Sequence, residues 1–85
     1  MLVRGRVQRV GYRAASVRQA QALGLTGVVR NLPDGRVEVV AQGPAADVGR
    51  LIEWCGRGPS WAEVDAVEVT DEPVVPGASG FTIGA

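Results

Sequence analysis

The chain has 85 residues, nine of them basic and nine acidic, is 46% hydrophobic and has a formal net charge of zero. That length bounds it to one small domain with one core, and the balance suits a folded soluble chain rather than a disordered one. It contains no His, no Lys and a single Cys, which excludes Ser-His-Asp and Cys-His catalysis, a Schiff-base or Walker-type lysine, a His- or Cys-built zinc site and an internal disulfide.

Residues Leu2 to Val7 alternate well enough to predict a strand, with Val3 and Val7 on one face and Arg4 and Arg6 on the other. A loop from Gln8 to Tyr12 follows, then a predicted helix from Arg13 to Leu23 closed by Gly24 at the C-cap. Leu25 to Asn31 reads as a second strand. Leu32-Pro33-Asp34-Gly35 is a turn, because Pro presets φ, Asp bonds its own backbone and Gly takes positive φ. Arg36 to Gln42 returns as a third strand, which makes a hairpin. Gly43-Pro44 opens a second helix, whose Val48, Leu51, Ile52 and Cys55 form an apolar stripe ending at Gly56. Ala62 to Thr70 reads as a strand whose alternation changes phase at Ala66-Val67, the mark of a late start or a bulge. Pro73 to Ser79 is loop, and Phe81 to Ile83 a short last strand. The order βαββαβ(β) predicts an α+β, ferredoxin-like sandwich: a twisted, mainly antiparallel sheet with two helices on one face.

Charge is unevenly spread. Every basic residue is an arginine, and six of them (Arg4, Arg6, Arg9, Arg13, Arg18, Arg30) precede the first acid, Asp34. The segment before Asp34 therefore carries +6 and the remainder −6. This split favours a focused anion site over a nucleic-acid surface; the alternative is that opposite charges cancel across neighbouring strands. The acids Glu63, Asp65, Glu68, Asp71 and Glu72 read as a solvated face. No apolar run approaches the roughly 20 residues of a membrane span, and no signal-peptide h-region is present. With one Cys the expected compartment is reducing, hence cytoplasmic.

The stretch Gly5-Arg6-Val7-Gln8-Arg9-Val10-Gly11-Tyr12-Arg13 runs from a strand into a helix start. The first N–H groups of a helix have no partner inside it, so a carboxylate-free, arginine-rich loop there reads as an anion cradle. Arg13, Val17 and Ala20 lie at i, i+4 and i+7, which sets Arg13 on the inward stripe with no nearby acid in sequence. Its fork suits phosphate oxygens; a pair with a distant acid such as Glu68, or a guanidinium reaching solvent, is the structural alternative. Asn31 ends a strand just before the turn. Its amide can hold a water, or bond local backbone.

The two segments Gly5–Arg13 and Leu23-Gly24-Leu25-Thr26-Gly27-Val28-Val29-Arg30-Asn31-Leu32-Pro33-Asp34-Gly35-Arg36-Val37-Glu38 resemble the acylphosphatase family, which carries G-x-V-Q-G-V-x-[FY]-R and then G-x-V-x-N-x-x-D-G-x-V. Gly43-Pro44, Gly58-Pro59 and Ser79-Gly80-Phe81 also resemble it, so the likeness spans nearly the whole chain, residues 1–85 as a single acylphosphatase-like domain. The resemblance implies hydrolysis of acyl phosphates, the mixed anhydrides of carboxylic and phosphoric acids, to a carboxylate and inorganic phosphate. It implies that backbone N–H groups of Gln8, Arg9, Val10, Gly11 and Tyr12 and the guanidinium of Arg13 bind the phosphoryl group, and that Asn31 orients the attacking water. It implies no metal and no cofactor; a monomer acting on a small molecule, with no nucleic-acid or membrane partner, is expected.

The chain departs from the family at Arg9, where the family has Gly. A non-Gly residue at positive φ costs roughly 1–2 kcal/mol, so Arg9 either preserves the cradle or distorts it. Distortion would leave a weakly active or inactive anion-binding module. An RNA-recognition-like domain shares the element order but needs aromatics on its sheet, and Tyr12, Trp54, Trp61 and Phe81 all lie outside the central strand-like runs. Trp54 and Trp61 are expected at the core rim, and Cys55 as a small core residue.

Overall fold

The computed structural model describes residues 1–71 and 73–84. In chain order the elements are β1 (Leu2–Arg6), α1 (Tyr12–Ala22), β2 (Thr26–Asn31), β3 (Val37–Gln42), α2 (Ala45–Arg57), β4 (Glu63–Glu68) and β5 (Phe81–Ile83). One five-stranded sheet has the order β4-β1-β3-β2-β5. Its pairs are antiparallel except β2 with β5, which is parallel, so the sheet is mixed. Both helices cover one face: Tyr12 and Ala20 of α1 and Leu51 and Cys55 of α2 share one buried cluster with Val3, Val29, Val37 and Val39 of the sheet. This is the ferredoxin-like α+β arrangement that the element order predicts.

The strands form where β-branched residues alternate. Val37 and Val39 are buried on the helix side, as is Val29 across from Val39, while Glu38 pairs with Arg30 on the other side. In the stripe of α2, Leu51 and Cys55 are fully buried and Val48 packs against the cluster, while Ile52 is only half-buried. Asp47 lies in its first turn and Arg57 in its last, each suited to the dipole there. The helix runs through Gly56 to Arg57.

At the end of α1, Leu25 N–H bonds to Ala20 O and Gly24 N–H to Gln21 O, the paired bonds of a Schellman cap. Leu25 and Ala20 are both buried, the apolar contact that accompanies this cap. The start of α1 lies one residue earlier than the sequence suggests. Tyr12 is in the helix and not in the loop, because its ring is drawn into the core, where it packs on Trp54 at 5.4 Å.

The phase change in β4 is a bulge, and the pairing locates it at Asp65 rather than at Ala66-Val67. Arg4 pairs with Ala66, but Gly5 pairs with Val64, so Asp65 is the extra residue. The bulge lets both Val64 and Val67, three residues apart, face the core. It also requires Gly5: φ is +135°, and a Cβ there would run into the Glu63 carbonyl oxygen. Gly5 thus fixes how β1 leaves the sheet before the loop. Trp61 departs from expectation: it is 78% exposed and not at the core rim. None of the four aromatic residues lies on β1, β3 or β2, the three inner strands of the sheet, so no base-stacking platform exists among the described residues.

Two substitutions test this account. Leu51→Ala should lower the unfolding free energy by about 2–5 kcal/mol in urea titrations, because its site is closed on every side. Gly5→Ala should destabilise by a comparable amount although it adds only one methyl group to a half-buried position, since both conformation and space oppose it.

Candidate functional site

β1 and β2 are each antiparallel to β3, so they run in the same direction and end on the same side of the sheet. The loop after β1 and the turn after β2 are therefore neighbours. Gln8 joins them: its Nε2 donates to Leu32 O at 2.8 Å and to Arg36 O at 2.9 Å. Leu32 follows Asn31 directly, so this bridge sets the loop beside the Asn31 amide. The side chain of Gln8 is thus committed to the hairpin. Val10 packs against the core and anchors the middle of the loop.

Between these anchors the backbone turns twice through the left-handed region. Arg9 has φ +64°, the single non-glycine residue at positive φ among the described residues. Gly11, at φ +77° and ψ +15°, is the residue preceding α1. Arg9 therefore adopts the conformation that glycine takes most easily, and the loop closes with an arginine in that place. A left-handed residue followed by the right-handed Tyr12 turns successive N–H groups toward a common point, a nest suited to an anion.

Those N–H groups are free. The N–H groups of Arg9, Val10 and Gly11 donate to no atom of the described residues, and the first intrahelical bond of α1 runs from Ala15 N–H to Gly11 O. Tyr12, Arg13 and Ala14 thus present the orphan N–H groups of the first turn. No side chain caps that turn and no acid lies in it, so both dipole and donors remain directed outward.

Arg13 follows at once. The buried positions of α1 are Tyr12, Ala15, Ser16 and Ala20. The inward stripe is centred one residue away from the Arg13 register, leaving Arg13 half-buried on its flank rather than in its middle. No described carboxylate lies within 4.0 Å of it. The suggested partner Glu68 pairs with Leu2, at the far end of β1. By contrast Arg6 meets Glu63 at 3.2 Å and Arg30 meets Glu38 at 3.1 Å, so cross-strand cancellation accounts for some of the early arginines and omits Arg9 and Arg13. The Arg30–Glu38 approach is an ion pair without hydrogen-bond alignment.

Asn31 pairs with Val37 and lies two residues beyond Val29, both fully buried on the helix side, so its side chain shares that face. Its Oδ1 is buried and accepts no hydrogen bond from the described residues. Local backbone bonding, the ordinary use of an Asn before a turn, does not occupy this oxygen. Buried acceptors are nearly always satisfied, so an unfilled one beside open N–H donors marks a place for a small polar guest.

Tyr12 has a supporting part that the sequence did not announce. Its hydroxyl donates to Cys55 O at 2.8 Å, tying the first turn of α1 to α2. Burial, with a smaller contribution from the Cys55 thiol, pushes the Tyr12 phenol far above its ordinary value of 10.0, and burial pushes the Cys55 thiol above 9.0. Both stay protonated and neither is a base for chemistry. A separate depression of about 480 Å³ lies on the open sheet face, bordered by Leu2, Arg4, Arg36, Asp34 and Glu68. Its charges are mixed and it includes neither Arg13 nor Asn31. No group of three His, Cys, Asp or Glu among the described residues could hold a metal ion.

The acylphosphatase family model matches residues 1–83. The chain is 52% identical to an acylphosphatase of Methylococcus capsulatus over 83 residues, covering 98% of this chain and 90% of that protein. It is 51% identical to one of Rubrobacter xylanophilus over 81 residues, covering 95% and 74%. Among solved structures, the Bacillus subtilis acylphosphatase superposes with a TM-score of 0.94 at 34% identity, covering 99% of this chain and 93% of that one. The Coxiella burnetii acylphosphatase superposes at 0.89 and 40% identity, covering 98% and 86%.

The pH behaviour of the Tyr12 bond follows from its direction of shift. The fold holds two protons that the unfolded chain releases from about pH 9 upward, so stability is complete below that and falls as pH rises. With no lysine to titrate in the same range, thermal melts from pH 7 to 11.5 should show this fall clearly. Tyr12→Phe should lose about 1 kcal/mol at neutral pH and decline less steeply above pH 10.

Proposed function

The chain belongs to the acylphosphatase family, and on that premise we propose that residues 1–85 form one catalytic domain that hydrolyses acyl phosphates with the site just described. The observation that carries the reading is a buried, unfilled Asn31 Oδ1 at the same end of the sheet as an uncapped helix N-terminus.

The phosphoryl oxygens rest on the N–H groups of Gly11, Tyr12 and Arg13, and the loop N–H groups of Arg9 and Val10 complete the cradle. Gln8 keeps the loop in place through its side chain. The Arg13 guanidinium contributes a bidentate, fixed charge to the equatorial oxygens. Asn31 Oδ1 accepts an O–H of the attacking water, which leaves a water lone pair free to approach phosphorus. The P–O bond to the acyl group breaks as the new P–O bond forms, and the water's proton passes to a phosphoryl oxygen, giving a carboxylate and inorganic phosphate.

The demands of the reaction fit the inventory. A carboxylate leaves readily, so no strong acid or base is required. What remains is positioning and charge stabilisation, and donors and arginine supply both. Because Arg9 holds φ +64°, the loop keeps the turn that glycine would make, which supports a working cradle over a crippled one. Among the described residues no helix is long and apolar enough to cross a membrane. We place the protein in the cytoplasm, where a single free, buried Cys55 suits the reducing environment, and take it to act as a monomer.

Phosphate release from benzoyl phosphate in the presence of EDTA tests the proposal. The unaltered chain should turn over. Arg13→Gln and Asn31→Ala should each lower kcat/KM by roughly 10²–10³ while melting within a few degrees of the parent. Full activity in either variant would remove that residue from its role. Binding of phosphate without any turnover would replace the enzyme with an anion-binding module.

A further inference from the structure

Arg9 remains unexplained by the reaction itself. Its N–H is part of the cradle, but its side chain is exposed and has no described carboxylate within 4.0 Å. It also holds a backbone conformation that an L-residue adopts only at a cost of roughly 1–2 kcal/mol. Residues kept in such conformations cluster where a site uses them. Glycine there would shape the same loop without strain, so the loop's geometry alone does not call for an arginine.

The line of attack indicates what the side chain faces. In phosphoryl transfer the attacking and leaving oxygens lie roughly in line through phosphorus. Asn31 Oδ1 is buried on the helix side of the sheet, so the water comes from the buried side and the acyl group departs toward solvent. Arg9 is on the exposed part of the loop. Its three methylenes give the guanidinium the reach to extend from the exposed loop toward the solvent side of the phosphoryl group, where the acyl part must lie. Arg13 and the N–H donors already serve the phosphoryl oxygens, which leaves Arg9 as the free cation on the acyl side.

We infer that Arg9 is a specificity-determining residue that favours acyl phosphates whose acyl part carries a second negative charge, a carboxylate or another phosphate. The inference rests on the acylphosphatase reading above. An exposed charge pair of this kind is modest, equivalent to about a three- to fivefold preference at low salt. It acts mainly through KM, because it is made equally in the ground and transition states. It weakens as salt shortens the Debye length from about 10 Å at 0.1 M to about 3 Å at 1 M.

The test compares kcat/KM for benzoyl phosphate with that for its 3-carboxy and 4-carboxy derivatives, in the unaltered chain and in Arg9→Gln, Arg9→Lys and Arg9→Gly. Arg9→Gln removes the charge and keeps the strained backbone, and Arg9→Gly relieves the backbone as well. The quantity read is the ratio of carboxylated to plain substrate, since every substrate loses some attraction for its phosphoryl group when Arg9 is neutralised. The unaltered chain should prefer a carboxylated substrate about three- to fivefold at low salt. Arg9→Gln and Arg9→Gly should abolish the preference through KM, Arg9→Lys should keep part of it, and 1 M salt should erase it. A ratio unchanged by Arg9→Gln, or a change confined to kcat, would overturn the inference while leaving the hydrolase intact. No turnover of any of the three substrates would overturn the underlying reading instead.

Discussion

One nitrogen of Gln8 bridges two carbonyls on opposite arms of the β2–β3 hairpin, at separations of 24 and 28 residues. The loop after β1 has no strand or helix of its own, so without this bridge it would be bound only by Val10 and by its two ends. Each such bond contributes about 0.5–1.5 kcal/mol net, and both carbonyls keep a backbone donor without it, Gly35 N–H to Leu32 O and Leu32 N–H to Arg36 O. The bridge therefore acts on position more than on total stability. It converts the shared direction of β1 and β2 into a fixed spacing between the loop and the end of β2; under the function proposed above, a displacement of about 1 Å there would cost as much rate as a missing group.

The remaining geometry hangs on that frame. Gly5 and the bulge at Asp65 decide where β1 releases the chain. Tyr12, held to Cys55 O and packed at a tilt against Trp54, decides where α1 begins. Between these points the loop must turn twice at positive φ, and those turns direct the N–H groups of successive residues to one place. Electrostatics follows the same division. Arg6 and Arg30 are taken up by acids across the sheet, Arg36 and Arg50 by acids close in sequence, and the arginines at the cradle are left without such partners among the described residues. A chain of zero net charge thus keeps locally unpaired arginines at this loop among the described residues, since screening by neighbouring acids is local.

Much of the fold was legible because its signals are short in range. Alternation marked the strands, the Pro-Asp-Gly turn joined β2 to β3, and the stripe on α2 named Leu51 and Cys55 as core. The Gly24 cap was legible for the same reason. The errors were also physical. Tyr12 entered the helix because the core accepted its ring, and the burial of α1 turned with it, moving Arg13 to the flank. The bulge shifted to Asp65 because it must face Gly5, a residue far away in sequence. Trp61 lies exposed, for which the structure offers no reason.

For the candidate site, residue chemistry came from the sequence: arginines without local acids, an inventory free of His, Lys and paired Cys, and an amide before a turn. Resemblance to a family linked the two motifs. Only the tertiary structure decided that Gln8 works through its side chain, that Asn31 Oδ1 is buried and unfilled, and that Arg9 accepts positive φ. The physical reason is distance along the chain. Composition, periodicity and turn chemistry act over a few residues and can be read in place, whereas the bridge from residue 8 to residues 32 and 36, and the burial of one oxygen at residue 31, exist only after β1 and β2 have both paired with β3.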